Sequence, residues 1–194
     1  MVHSVSVGAG LPGHRSPSVS FEAPFEMLSA CHERVERMLA LLVKLRHHLS
    51  AHGWDDQAAK AATDVIRYFD LAAPHHHLDE EMHVFPVILA LYDATLDALV
   101  LRLKQDHLDM EKSWVVVKQL LASVVNADVN TWVSFSDADK GALDAFAAAY
   151  NEHINQEERG VYPAAKRACS NDQLDAMSHE MMRRRGQTGI SPNK

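Results

Sequence analysis

"HHHLDEEMHVFP", residues 75–86, places four histidines and three acids in twelve positions. "HINQEERGVYP", residues 153–163, repeats its frame. Aligned on their prolines, His76 falls on His153, Glu80 on Glu157, Glu81 on Glu158, Val84 on Val161 and Pro86 on Pro163. A charged surface run has no reason to recur in that register. In a helix, residues four apart lie about 40° apart around the axis and about 6 Å along it. Each His-x-x-x-Glu pair therefore points one imidazole and one carboxylate the same way.

Outward from these segments the chain reads as helix. Phe25, Leu28, His32, Val35, Leu39, Leu42 and Leu49 trace an apolar stripe over roughly Pro24–His52, which Gly53 stops. A second helix is expected from Asp55 to about Leu91, with a kink or a restart at Pro74. A third, about Thr95–Val125, carries Leu96, Leu99, Leu103, His107, Met110, Trp114, Val117, Leu121 and Val124 at spacings of three and four. Ser136 reads as the N-cap of a fourth, which holds Leu143, Phe146, Tyr150, His153, Glu157 and Val161 on one side and ends near Pro163. A short fifth helix spans about Asp172–Arg185, and its Arg183-Arg184-Arg185 run suits a helix C-terminus. The pattern predicts an all-α, antiparallel up-and-down four-helix bundle with a short extra C-terminal helix. Residues 1–20 are expected to be a flexible arm, 21–168 the bundle, and 169–194 the short helix and tail.

Composition narrows the function. A formal charge of -7 argues against nucleic acid or an anionic membrane as partner. No apolar run approaches about 18 residues, the length a membrane span needs, and residues 1–20 contain no signal-peptide block. Two cysteines, Cys31 and Cys169, form no disulfide framework, so a cytoplasmic location is expected.

The thirteen histidines are the anomaly. His3, His14, His47, His48, His52 and His179 read as peripheral. His32, His107 and His153 stand where the stripes call for leucine, one per helix, and His76 adds one on the remaining helix. A buried imidazole without a partner costs a few kcal/mol, and a shared metal is the economical partner for four. Glu80 and Glu157 bring two carboxylates to the same point, each able to bridge two cations. Without positive charge between them such acids would repel and protonate. Nitrogen with carboxylate suits iron, manganese or zinc. At roughly six ligands per iron, this set leaves positions open for small exogenous ligands.

With "CHERVERML" around His32, "HHLDEEMHVFP" from His76, "KQDHLDMEK" around His107 and "HINQEERGVYP" from His153, the chain resembles hemerythrin-like (HHE cation-binding) domains over roughly Phe21–Ala168. The resemblance implies two non-haem iron ions, oxo- or hydroxo-bridged, with His32, His76, His107 and His153 as terminal ligands and Glu80 and Glu157 as bridges. His77 is the alternative to His76 in a shifted register. His83 is a candidate supplementary ligand, an outer partner or an exposed residue. Glu111 stands where oxygen-carrying members place a second histidine on the third helix, a departure from their pattern. The iron–sulfur-repair branch has a nearer ligand set, but also a cysteine-containing N-terminal domain not found here. The implied activity is binding or sensing of dioxygen, nitric oxide, redox state or iron rather than enzymatic turnover. A di-metal oxidase, an iron donor for iron–sulfur repair, and a redox-inert zinc or manganese bundle are the alternatives. The ferritin-like oxidase pattern needs Glu-x-x-His on two helices, and only Glu80–His83 provides one.

Overall fold

The computed structural model describes residues 23–186, so the arm expected over 1–20 and the tail after residue 186 lie outside the described residues. Every regular element among the described residues is helical. Helix α1 (Pro24–His52) starts on a proline, whose missing N–H would have been unpaired there anyway. It ends at Gly53, whose φ of 79° is left-handed backbone that glycine adopts without a Cβ clash. Asp55 caps α2 (Asp56–Asp79) by accepting from the Ala58 N–H at 2.8 Å. After α2 come a π-helical turn, Glu80–Val84, and α3 (Phe85–Leu89). Asp93 caps α4 (Ala94–Val125), and a Ser136/Asp139 capping box opens α5 (Asp137–Gln156). A second π turn, Glu157–Val161, leads into α6 (Tyr162–Ala168), and a Ser170/Gln173 box opens α7 (Asn171–Arg184).

The second and fourth expected helices are thus each broken by a π turn at the same point of the repeat. The prolines supply the reason. Pro86 and Pro163 cannot donate, and their rings crowd the carbonyls four residues back, at Met82 and Arg159. The backbone widens by one residue, and the Phe85 and Tyr162 N–H groups donate five residues back, to the Glu80 and Glu157 carbonyls. Pro74 behaves differently from expectation. It sits exposed inside an uninterrupted α2, where water can serve the carbonyl it leaves unpaired.

Helix α1 packs on α2, α2 on α4, α4 on α5, and α5 back on α1. The apolar interior is in two parts. One contains Val35, Leu39, Leu42, Phe69, Val117, Leu121, Phe146 and Tyr150; the other contains Leu28, Val84, Phe85, Ile88, Leu103, Val161, Tyr162 and Met181. In each of the four long helical segments the change from one part to the other falls at a candidate ligand: His32, His76–Glu80, His107, and His153–Glu157. The polar cluster is a layer between two apolar blocks. Among the described residues no helix is long and apolar enough to cross a membrane.

Candidate metal centre

Seven side chains with metal-ligating atoms converge in this layer, and all are buried: His32, His76, His77, Glu80, His107, His153 and Glu157. The four-residue spacing within each repeat works as geometry requires. His76 Nε2 lies 3.4 Å from Glu80 Oε1, and His153 Nε2 lies 3.1 Å from Glu157 Oε1. The carboxylates then reach across. Glu157 turns Oε2 to His32 Nε2 at 3.2 Å, while Glu80 turns Oε2 to His107 Nε2 at 3.5 Å. Two donor sets result: His32, His76, Glu80 and Glu157, and Glu80, His107, His153 and Glu157. They share both carboxylates, one oxygen facing each side. Donor atoms around one cation about 2.1 Å away sit roughly 3 to 3.5 Å apart, the separation of these four pairs; His32 Nε2 to Glu80 Oε1 and His107 Nε2 to Glu157 Oε1 are wider, at 3.9 Å. A third set, His77, His107 and His153, adds a nitrogen to the second position. The His77 ring stacks on His107 at 3.9 Å, with 6° between planes.

The outer atoms fix the rings. His32 Nδ1 donates to Glu158 Oε1 at 2.8 Å, and His107 Nδ1 donates to Glu81 Oε1 at 2.8 Å. With the proton on Nδ1, the Nε2 lone pair faces the centre. The partners are crossed: the acid after each shared glutamate orients the lone histidine of the other half. Asp106 Oδ2 lies 3.5 Å from His153 Nδ1, too far for a good hydrogen bond.

Charge follows the same plan. Burial pushes His76 down to about 3 and His77 well below the usual imidazole range. Burial also opposes a charge on His32, but the neighbouring carboxylates of Glu157, Glu158 and Glu80 raise it to about 10. His107 rises to about 8, burial being outweighed by Glu80 and then Glu81. Glu80 is held well below the usual carboxyl range, since His76, His107 and His32 overcome the burial penalty. The Tyr162 phenol, buried beside Glu80 and Glu157, is pushed well above its ordinary value. Before any cation binds, His32 and His107 favour the protonated form beside these carboxylates.

Whether the residues fit a metal is decided by the atoms left over. His76 Nε2, His77 Nε2, Glu80 Oε2 and both oxygens of Glu157 are buried without a hydrogen-bond partner. Native interiors rarely leave such atoms unpaired, and here they face one another across the shared layer. A bound cation would supply the missing partner, and nitrogen mixed with carboxylate oxygen suits iron, zinc or manganese.

The remaining candidates lie elsewhere. His83, on the first π turn, bonds through Nε2 to Glu180 of α7 at 2.9 Å and belongs to no donor set. Glu111 is exposed on α4, one turn beyond His107 and outside the cluster. Of the histidines read as peripheral, His48 is half-buried and pairs with Asp55 at 3.0 Å.

Two features were not legible beforehand. The arginine run is more than a dipole complement: Arg184 and Arg185 reach the fully buried Asp79 at 2.7 and 2.5 Å, because a carboxylate taken from water needs paired charge. Tyr162 donates to Glu80 Oε1 and lies 3.3 Å from His32 Nε2. Its signal was in the repeat, where Tyr162 aligns with Phe85.

A helical domain with two donor sets sharing a pair of buried carboxylates is a cation-binding domain. The chain belongs to the hemerythrin family: the model of the hemerythrin HHE cation-binding domain matches residues 23–165. A Haemophilus influenzae relative, named "Uncharacterized protein", is 28% identical over 166 residues, covering 86% of this chain and 92% of its own length.

Proposed function

We propose that this is a non-haem di-iron protein that binds or senses a small ligand such as dioxygen or nitric oxide, or reports redox or iron status, in the cytoplasm. Its frame is an antiparallel up-and-down four-helix bundle with α7 as an extra helix. Support for the alternating direction comes from the order of the apolar blocks along the chain, which reverses from α1 to α2, to α4, to α5. The observation that carries the function is that Glu80 and Glu157 each offer one oxygen to His32 and the other to His107. Carboxylates so placed bridge two cations. A pair of iron ions there would supply redox chemistry and open positions for a diatomic ligand. His32 and His76 serve one position, while His77, His107 and His153 serve the other. Glu158 and Glu81 hold the lone histidines in the ligating tautomer, and the apolar blocks on both sides keep water out. The two cysteines are free thiols, in keeping with a reducing compartment.

Metal quantification on protein purified from its host, with spectra taken anaerobically and then with dioxygen or nitric oxide, tests the proposal. Two irons per chain and a spectral response to either gas are expected. Stoichiometric zinc with little iron, or no response, overturns it in favour of a redox-inert bundle. His76→Ala and His77→Ala are expected to weaken opposite positions, each lowering iron from two per chain toward one.

A further inference from the structure

The two halves of the centre differ at two aligned places. His77 aligns with Ile154, and Phe85 aligns with Tyr162. Each half therefore carries one donor that the other lacks. His77 directs its donor to the His107–His153 position. We infer that the phenol oxygen of Tyr162 is a further metal ligand, completing the position held by His32 and His76; this rests on the di-iron reading above.

Packing does not account for the hydroxyl. Phe85 stacks on His107 with centroids 5.7 Å apart, and Tyr162 stacks on His32 at 5.3 Å. Phenylalanine does this work in one half, so the oxygen in the other is surplus to it. It is buried in a residue with 4% exposure, and its hydrogen bond goes to the donor set itself. The oxygen contacts two ligand atoms of one donor set, Glu80 Oε1 and His32 Nε2, the latter at 3.3 Å. That is the spacing of neighbouring donors around one cation. With Tyr162 included, each position has two shared carboxylate oxygens and three donors of its own. One position has two imidazoles and a phenol; the other has three imidazoles.

Without a cation the phenol keeps its proton and donates to Glu80. On ligation the O–H bond breaks and the oxygen–metal bond forms. The proton leaves to water by the groove of about 400 Å³ that Tyr162 lines with Ser29 and Glu158. No electron moves in this step. A cation stabilises the resulting anion as it does a coordinated thiolate.

The test loads the purified full chain anaerobically with ferrous iron, oxidises it with ferricyanide, and measures bound iron and the visible spectrum. A phenolate-to-iron(III) charge-transfer band is expected. Tyr162→Phe is expected to abolish that band while keeping two irons per chain, and Tyr150→Phe, altering the other buried tyrosine near the centre, is expected to keep it. Resonance Raman on the wild-type protein made with ring-deuterated tyrosine gives a readout that needs no substitution: the enhanced vibrations should shift. Two bound irons without the band, or an unchanged band in Tyr162→Phe, overturn the ligand assignment and leave the di-iron reading standing. Failure to bind iron overturns both.

Discussion

The His32–His76 position and the His107–His153 position share a frame and are finished differently. Both have a lone histidine, a His-x-x-x-Glu pair, an outer acid, a π turn and an aromatic ring stacked on the lone histidine. What differs is one residue on each side of the frame, plus an ion-pair latch from α7 that grips the first repeat at Asp79 and has no counterpart at the aligned Gln156. Repetition sets where the donors stand; the departures from it decide what each donor set can hold.

The latch should give the largest separation between the halves. Arg184→Met with Arg185→Met leaves Asp79 charged, buried and unpaired, a loss of about 3–5 kcal/mol. Gln156→Ala, at the matching point, should cost less than about 1 kcal/mol, the worth of one exposed hydrogen bond to Glu152. Urea unfolding measures both, and equal losses would make the latch incidental.

Proton linkage comes next. His32 and His107 have raised values of about 10 and about 8 in the metal-free protein. Their contribution to its stability is therefore complete below the ordinary imidazole value of about 6.5 and fades as pH rises through 8 and then 10. Metal binding needs both lone pairs, so it expels these protons, and affinity should climb with pH by about tenfold per unit for each proton displaced. Calorimetry in buffers of different ionisation enthalpy counts them: near pH 7 two protons are expected from these rings, with a third from the Tyr162 phenol when it ligates, and none would show that these rings do not ligate.

The smallest effect probes the crossed outer acids. Glu81→Gln and Glu158→Gln should each weaken metal binding by about 10–100-fold, as loss of an outer partner does. Similar losses from competitive chelator titration would support the shared frame. A loss confined to one variant would mean that only one half depends on its acid.

The repeat made the donor frame readable because helical spacing is rigid: four residues always return to the same face, so His76, Glu80, His153 and Glu157 could be placed together before any contact was known. His32 and His107 were readable as polar interruptions of apolar stripes. His77 was ambiguous for the same reason. It is one residue, or 100°, away from His76, and sequence alone does not say that a second donor set lies on that side. The reach of Arg184 and Arg185 to Asp79 depends on where α7 folds back, which no local pattern encodes. Tyr162 is not legible as a donor, because apolar patterning classifies an aromatic ring as packing and says nothing of the oxygen at its tip.

The π turns carry a consequence for how such a chain can change. Each works like an extra tooth on a gear: remove any one residue between Glu80 and Val84 and everything beyond it is turned by about 100° and drawn back about 1.5 Å. Phe85 and Ile88 would then swing out of the interior they now fill. Substitutions can reshape this segment, but its length is locked, and the same holds for Glu157–Val161, where Tyr162 would swing away with it.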